Sequence, residues 1–120
     1  MTKNIYWTLS GKIKTKQNDK LKKFLRSVLV KTVQESGCMN YEFWFGEGQK
    51  KLYIYERYAD SKACLEHFKN VKADLPKFFK YVELDPLVVL GEVSEEVRTA
   101  FNKMDVVYTT YIMGFDDRLD

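Results

Sequence analysis

Few residues in this chain are equipped for chemistry. Its 120 residues include one histidine, two cysteines and 17 carboxylates, set among eight Tyr, eight Phe and two Trp. His67 falls on the helical stripe Cys64, His67, Phe68, Val71, which turns it toward the body of the protein. An imidazole placed there can exchange a proton near neutral pH, or simply anchor its helix. Glu42 and Glu56 stand in strand-like runs among apolar neighbours. A buried carboxylate needs a partner or its pKa climbs, so a tie from Glu56 to His67 or Arg57 is expected. Asn40, Trp44 and Tyr55 form a polar–aromatic set at strand spacing, suited to a cleft wall, a core or a dimer contact. Cys38 and Cys64 lack a basic neighbour to hold a thiolate and read as small buried hydrophobes. One histidine and two cysteines cannot build a Cys₄, Cys₂His₂ or His₃ zinc site. A carboxylate-rich magnesium or calcium site stays open to the residue counts, but no EF-hand spacing or glycine-rich phosphate loop is present, and neither metal nor cofactor is expected.

Several elements must position these groups. Residues 5–14 read as a strand with Ile5, Trp7, Leu9 and Ile13 on one apolar face. Asn18 or Asp19 caps a helix carrying Leu21, Phe24, Leu25, Val28, Leu29 and Val33. That helix closes at Ser36–Gly37, where glycine supplies the left-handed C-terminal conformation. Residues 39–45 and 51–58 pair as a hairpin around Gly46-Glu47-Gly48-Gln49. One face of the first hairpin strand carries Met39, Tyr41, Phe43 and Phe45, the other Asn40, Glu42 and Trp44. In the second strand Leu52, Ile54, Glu56 and Tyr58 oppose Tyr53, Tyr55 and Arg57. Asp60 caps a second helix reaching about Asn70. Residues 71–79 read as a turn or short helix interrupted by Pro76, and 81–93 as extended chain with an edge, bulge or bend at Pro86. Ser94 caps a third helix carrying Val97, Ala100, Phe101 and Met104. Residues 106–113 form a last strand, and a polar tail follows.

The order βαββαβ followed by αβ is the ferredoxin-like, α+β plan with a C-terminal extension. The chain is expected to be one domain over 1–120, with a core of about 4–93 and the extension over 94–114. Two helices cover one face of four antiparallel strands and leave the other bare. Both hairpin faces are too aromatic for a half-solvated sheet. Pairing two bare faces across a twofold axis gives a dimeric α/β barrel, so a homodimer through the open sheet face is expected.

Net charge is +3, divided as +8 over residues 1–31 and −5 over the rest. Lys20, Lys22, Lys23, Arg26 and Lys31 read as the solvated face of the first helix, so no nucleic-acid partner is expected. No run approaches the ~18 apolar residues of a membrane span. With no secretory signal read at the start, a cytoplasmic, reduced protein is the expectation.

Three stretches carry a family likeness: Glu35-Ser36-Gly37-Cys38-Met39-Asn40-Tyr41-Glu42, Tyr55-Glu56-Arg57-Tyr58, and Ser61-Lys62-Ala63-Cys64-Leu65-Glu66-His67-Phe68. Together they resemble the antibiotic biosynthesis monooxygenase (ABM) superfamily, with Ser36 where that family commonly has Pro and Tyr58 where it has Trp. The resemblance implies the dimeric ferredoxin-like barrel. For some members it implies oxidation of quinols or anthrone-type compounds by O₂ without metal or flavin. Such a substrate, once deprotonated in a dry pocket, reduces O₂ itself, and the protein supplies a base and hydrogen bonds to the developing anion. The resemblance points to His67 and Tyr55 as proton-handling residues and to Trp7, Asn40, Trp44 and Arg57 as ligand-binding residues. Haem-degrading members use an Asn, a Trp and an axial His, a set with no counterpart here. The expected function is cofactor-independent mono-oxygenation of a small aromatic or quinol-like substrate. The alternative is a non-catalytic dimeric ligand-binding or stress-associated protein of the same fold.

Overall fold

The computed structural model describes residues 2–14 and 16–116. Strand β1 (Ile5–Ile13) leads to helix α1 (Asn18–Thr32), and the hairpin β2 (Cys38–Phe45) and β3 (Lys51–Tyr58) follows. Next come α2 (Ser61–Val71), a 3₁₀ turn (Lys72–Asp74), α3 (Leu75–Tyr81), β4 (Val82–Leu84) and β5 (Leu87–Leu90). Helix α4 (Glu95–Ala100) and β6 (Val106–Tyr108) complete the order. The sheet runs β2-β3-β1-β5-β6, with β4 also on β1. Strands β4 and β5 behave as one strand broken at Asp85–Pro86, since both pair antiparallel with β1. Proline has no N–H for the ladder, which accounts for the break. The fold is therefore α+β and ferredoxin-like, and its extension makes the sheet mixed by adding β6 parallel to β5.

Alternation along the strands decides what faces the helices. Ile5, Trp7 and Ile13 of β1, Leu52, Ile54, Glu56 and Tyr58 of β3, and Leu87 and Val89 of β5 are all buried. Two apolar clusters form on this side. One lies under α1, with Leu21, Phe24, Leu25 and Val28. The other lies under α2 and α4, with Ala63, Cys64, Val97 and Phe101. Among the described residues no helix lies over the opposite face, which carries Trp44, Tyr53 and Leu90 exposed.

The structure corrects several local expectations. Helix α1 begins at Asn18 behind Gln17, and neither Asn18 nor Asp19 serves as its cap. It ends at Thr32, whose hydroxyl is buried and donates to the Val28 carbonyl. Leu29 and Val33 thus leave the inner stripe and are exposed. Gly37 is not left-handed, and only Gly48 and Gly91 are among the described glycines. Gly37 is needed because α2 passes close by, so that a Cβ there would meet that of Ala63 at 2.5 Å. Met39 is the extra residue of a β-bulge. Cys38 pairs with Tyr58 while Asn40 pairs with Arg57, which turns Met39 out to solvent. Pro76 does not interrupt a helix but sits in the first turn of α3, where its missing N–H has no partner to lose. Helix α4 stops at Ala100, although Phe101 and Met104 still turn inward from the turn after it. The last strand is only Val106–Tyr108, and beyond it Ile112, Met113 and Phe115 are exposed. Residues 117–120 of the expected polar tail lie outside the described residues. No helix among the described residues is long and apolar enough to cross a membrane.

Candidate active site

A chamber of about 80 Å³ lies between the sheet and the helices, walled by Trp7, Leu9, Phe24, Phe68, Phe101 and other apolar side chains. Its polar lining is Glu56, His67, Tyr41 and Asp74. The chamber takes side chains from both apolar clusters and from the turn after α4. The C-terminal extension therefore helps to build it.

At its heart is a buried relay. His67 Nδ1 faces Glu35, 3.0 and 3.2 Å from its two carboxylate oxygens. His67 Nε2 faces Glu56 Oε1 at 3.4 Å. The Asn70 amide donates to Glu35 at 2.7 Å, and the Tyr58 hydroxyl donates to Glu56. Trp7 lies opposite Glu56 in the β1–β3 register, and its indole N–H is turned to the same carboxylate. Both His67 and Glu56 are only 4% exposed. Local sequence places each member. Helical spacing turns His67 and Asn70 toward the end of α1, strand alternation puts Glu56 and Tyr58 on one face, and the turn after α1 delivers Glu35.

The arrangement constrains where protons reside. A neutral imidazole has one N–H and one lone pair. If Nδ1–H is given to Glu35, Nε2 can accept from a protonated Glu56; otherwise an imidazolium stands between two carboxylates. Burial raises the pKa of Glu56, opposed by His67, Tyr58 and Trp7. Burial likewise raises Tyr41. Asp74 differs from Glu56, being ion-paired with Lys31 at the chamber's other side. Lys31 is thus a partner in the site, whereas Lys20, Lys22, Lys23 and Arg26 are solvated as expected. Two carboxylates in contrasting surroundings line one chamber.

The expected site residues divide by face. His67 and Trp7 line the chamber, and the expected tie from Glu56 runs to His67. Tyr55, Asn40, Trp44 and Arg57 do not reach it. Tyr55 follows Ile54 and precedes Glu56, so alternation sends it to the open face beside Tyr6. Of the two expected proton-handling residues, His67 thus lines the chamber and Tyr55 does not. Asn40 and Trp44 share that face, since the bulge at Met39 sets their side of β2 outward. Arg57 donates to Asn4 Oδ1 at 3.0 Å and covers the Tyr6 ring. Glu42 is exposed. Sequence reasoning missed Glu35, Tyr41, Asp74 and Tyr58 as site members. Glu35, Tyr41 and Tyr58 stood inside the stretches that carried the family likeness, while Asp74 had no local signal. Burial pushes the Cys38 thiol up to about 12 and Cys64 up as well, in keeping with unreactive thiols. Among the described residues no group of three or more His, Cys, Asp or Glu could hold a metal ion.

Glu56 makes stability depend on pH. Its folded pKa is raised above the unfolded value, so the stabilisation is complete below the ordinary carboxylate range and is lost as pH rises through the folded value. Glu56→Gln keeps an oxygen to accept from Tyr58 and removes the titration. The melting temperature of the variant relative to wild type should therefore climb as pH is raised from 4 to 8. A difference that is flat across that range would contradict the assignment.

The fold is ABM-like, and solved structures share it. MupZ from Pseudomonas fluorescens superposes with a TM-score of 0.87 at 20% identity, over 98% of this chain and 91% of that one. The "Putative antibiotic biosynthesis monooxygenase from Nitrosomonas europaea" gives 0.65 at 15% identity, over 77% and 92%. Rv0793 from Mycobacterium tuberculosis gives 0.65 at 17% identity, over 76% and 96%. No family model and no curated protein matches the chain. The MupZ match takes in nearly the whole chain. The other two cover about three quarters of it.

Proposed function

We propose that this protein is an enzyme whose chemistry is proton transfer at the Glu56–His67 couple, on a substrate whose reacting end enters the apolar chamber. The observation that carries this reading is a buried imidazole, hydrogen-bonded to Glu35 and in 3.4 Å contact with Glu56, on the wall of an apolar chamber. A structural histidine tie has no need of such a chamber. Removal of a proton in a water-poor site is worth about 10²–10⁴-fold in rate, and apolar walls strengthen each charge interaction within it. In the form that the ABM likeness implies, the couple deprotonates a small quinol- or anthrone-like molecule and O₂ is the oxidant. A ring CH₂ and O₂ then become C=O and water, with all electrons drawn from the substrate.

One observation favours a second form. At about 80 Å³ the chamber is roughly half the ~150 Å³ that accommodates benzene, so even a single ring needs side chains to move. A narrow substrate undergoing a redox-neutral rearrangement, addition or elimination at the same couple needs no such movement. Oxygen-electrode and product assays on metal-free protein with a panel of hydroquinones and anthrones separate the two. O₂ uptake that is lost in Glu56→Gln supports the oxidative form. Absence of uptake across the panel removes it, and absence of any turnover leaves a ligand-binding module.

The working unit we propose is a homodimer closed through the open sheet face. Its support is the row of Tyr6, Tyr53, Tyr55, Trp44 and Leu90 on a face that no helix among the described residues covers.

A further inference from the structure

A cleft of about 620 Å³ lies outside the chamber, between α2–α3 and the turn after α4. Four residues, Phe68, Leu75, Leu87 and Met104, line both spaces and so form the partition between them. The two volumes suit different parts of a ligand. The cleft falls in the range of ~300–1,000 Å³ typical of small-molecule sites, and the chamber falls well below it. Three of the partition residues, Phe68, Leu75 and Met104, are only half-buried. Met104 is unbranched, with a side chain that adapts readily to a passing group. It stands on the turn after α4 rather than within a helix. Away from the partition, the cleft turns to polar residues such as Lys72, Asn102 and Lys103.

We propose that the cleft and chamber form one continuous site for an elongated, largely apolar, chain-like substrate. Its reacting end passes Met104 and Phe68 to reach Glu56 and His67, while its body lies in the cleft against the C-terminal extension. This deepens the reading above and rests on it for the reacting end. The extension acts as the specificity wall. A flat polycyclic ligand fits this geometry poorly, because the chamber of about 80 Å³ lacks room for fused rings.

The test uses unbranched primary alcohols from hexanol to decanol as probes, with binding read by thermal shift and calorimetry on the full chain. Affinity should rise about threefold to fourfold for each added methylene, the value of a buried CH₂. Met104→Trp, which fills the partition, should cost the longest probe at least tenfold. Thr99→Trp, an exposed position on the cleft wall whose hydroxyl bonds only to its own helix, should do the same if Met104→Trp fails to fold. Glu56→Gln should retain chain-length-dependent binding, which separates a failure of the catalytic couple from a failure of the channel. Affinity independent of chain length, equal binding by both Trp variants and wild type, or tighter binding of anthrone than of decanol would each overturn the proposal.

Discussion

Replacing His67 with alanine is expected to cost about 3–5 kcal/mol of stability and to lower turnover by about 10²–10⁴-fold. The imidazole lies between Glu35 and Glu56, 3.0 Å from one and 3.4 Å from the other. Without it, two buried carboxylates face one another with Asn70, Tyr58 and Trp7 as their remaining partners. Loss of His67 also removes an influence that lowers the pKa of Glu56, so that pKa climbs further in the variant. A carboxyl raised in the folded state contributes stability that is present at low pH and lost as pH rises through the folded value. The deficit of His67→Ala should therefore be small near pH 4 and grow toward pH 8. Urea unfolding at both ends of that range measures it. A deficit independent of pH would mean that His67 acts by packing alone. Tyr55→Phe, by contrast, should leave turnover unchanged, because Tyr55 stands on the other face of the sheet.

The second large effect concerns that face. Tyr55→Asp should convert a dimer into a monomer. Each large aromatic side chain buried in the interface contributes roughly 1.5–3 kcal/mol. An unpaired carboxylate at the same place costs several kcal/mol to desolvate. A loss of about 4 kcal/mol corresponds to a thousandfold weaker association. In the single protomer Tyr55 is half-exposed beside Tyr6, so the substitution should leave folding largely intact. Sedimentation at micromolar concentration should show wild type as a dimer and the variant as a monomer of unchanged circular dichroism. A monomeric wild type, or a variant that remains dimeric, would remove the barrel.

Much of the architecture was legible in the sequence because it rests on local periodicity. The stripe Leu21, Phe24, Leu25, Val28 and the alternation Leu52, Ile54, Glu56, Tyr58 decide which faces are buried, and the structure buries them. The order of elements then leaves few topologies, and the ferredoxin-like one follows. Boundaries were less legible. The ends of α1 and α4, the role of Gly37 and the bulge at Met39 depend on contacts with distant segments: Ala63 against Gly37, and Tyr58 and Arg57 against Cys38 and Asn40.

The site divides along the same line. Sequence alone determined that a single histidine would face inward from α2, that Glu56 would be a buried strand carboxylate in need of a partner, and that common zinc chemistries are excluded. Those conclusions need only residue counts and the periods of helix and strand. Tertiary structure decided that Glu35, 32 residues from His67 along the chain, is the imidazole's other partner. It also decided that Asp74 and Met104 belong to the same cavity, and that Tyr55 does not. A proton relay is held together by distances of about 3 Å between side chains on separate elements. Such distances are set only when α1, α2 and the sheet pack against one another.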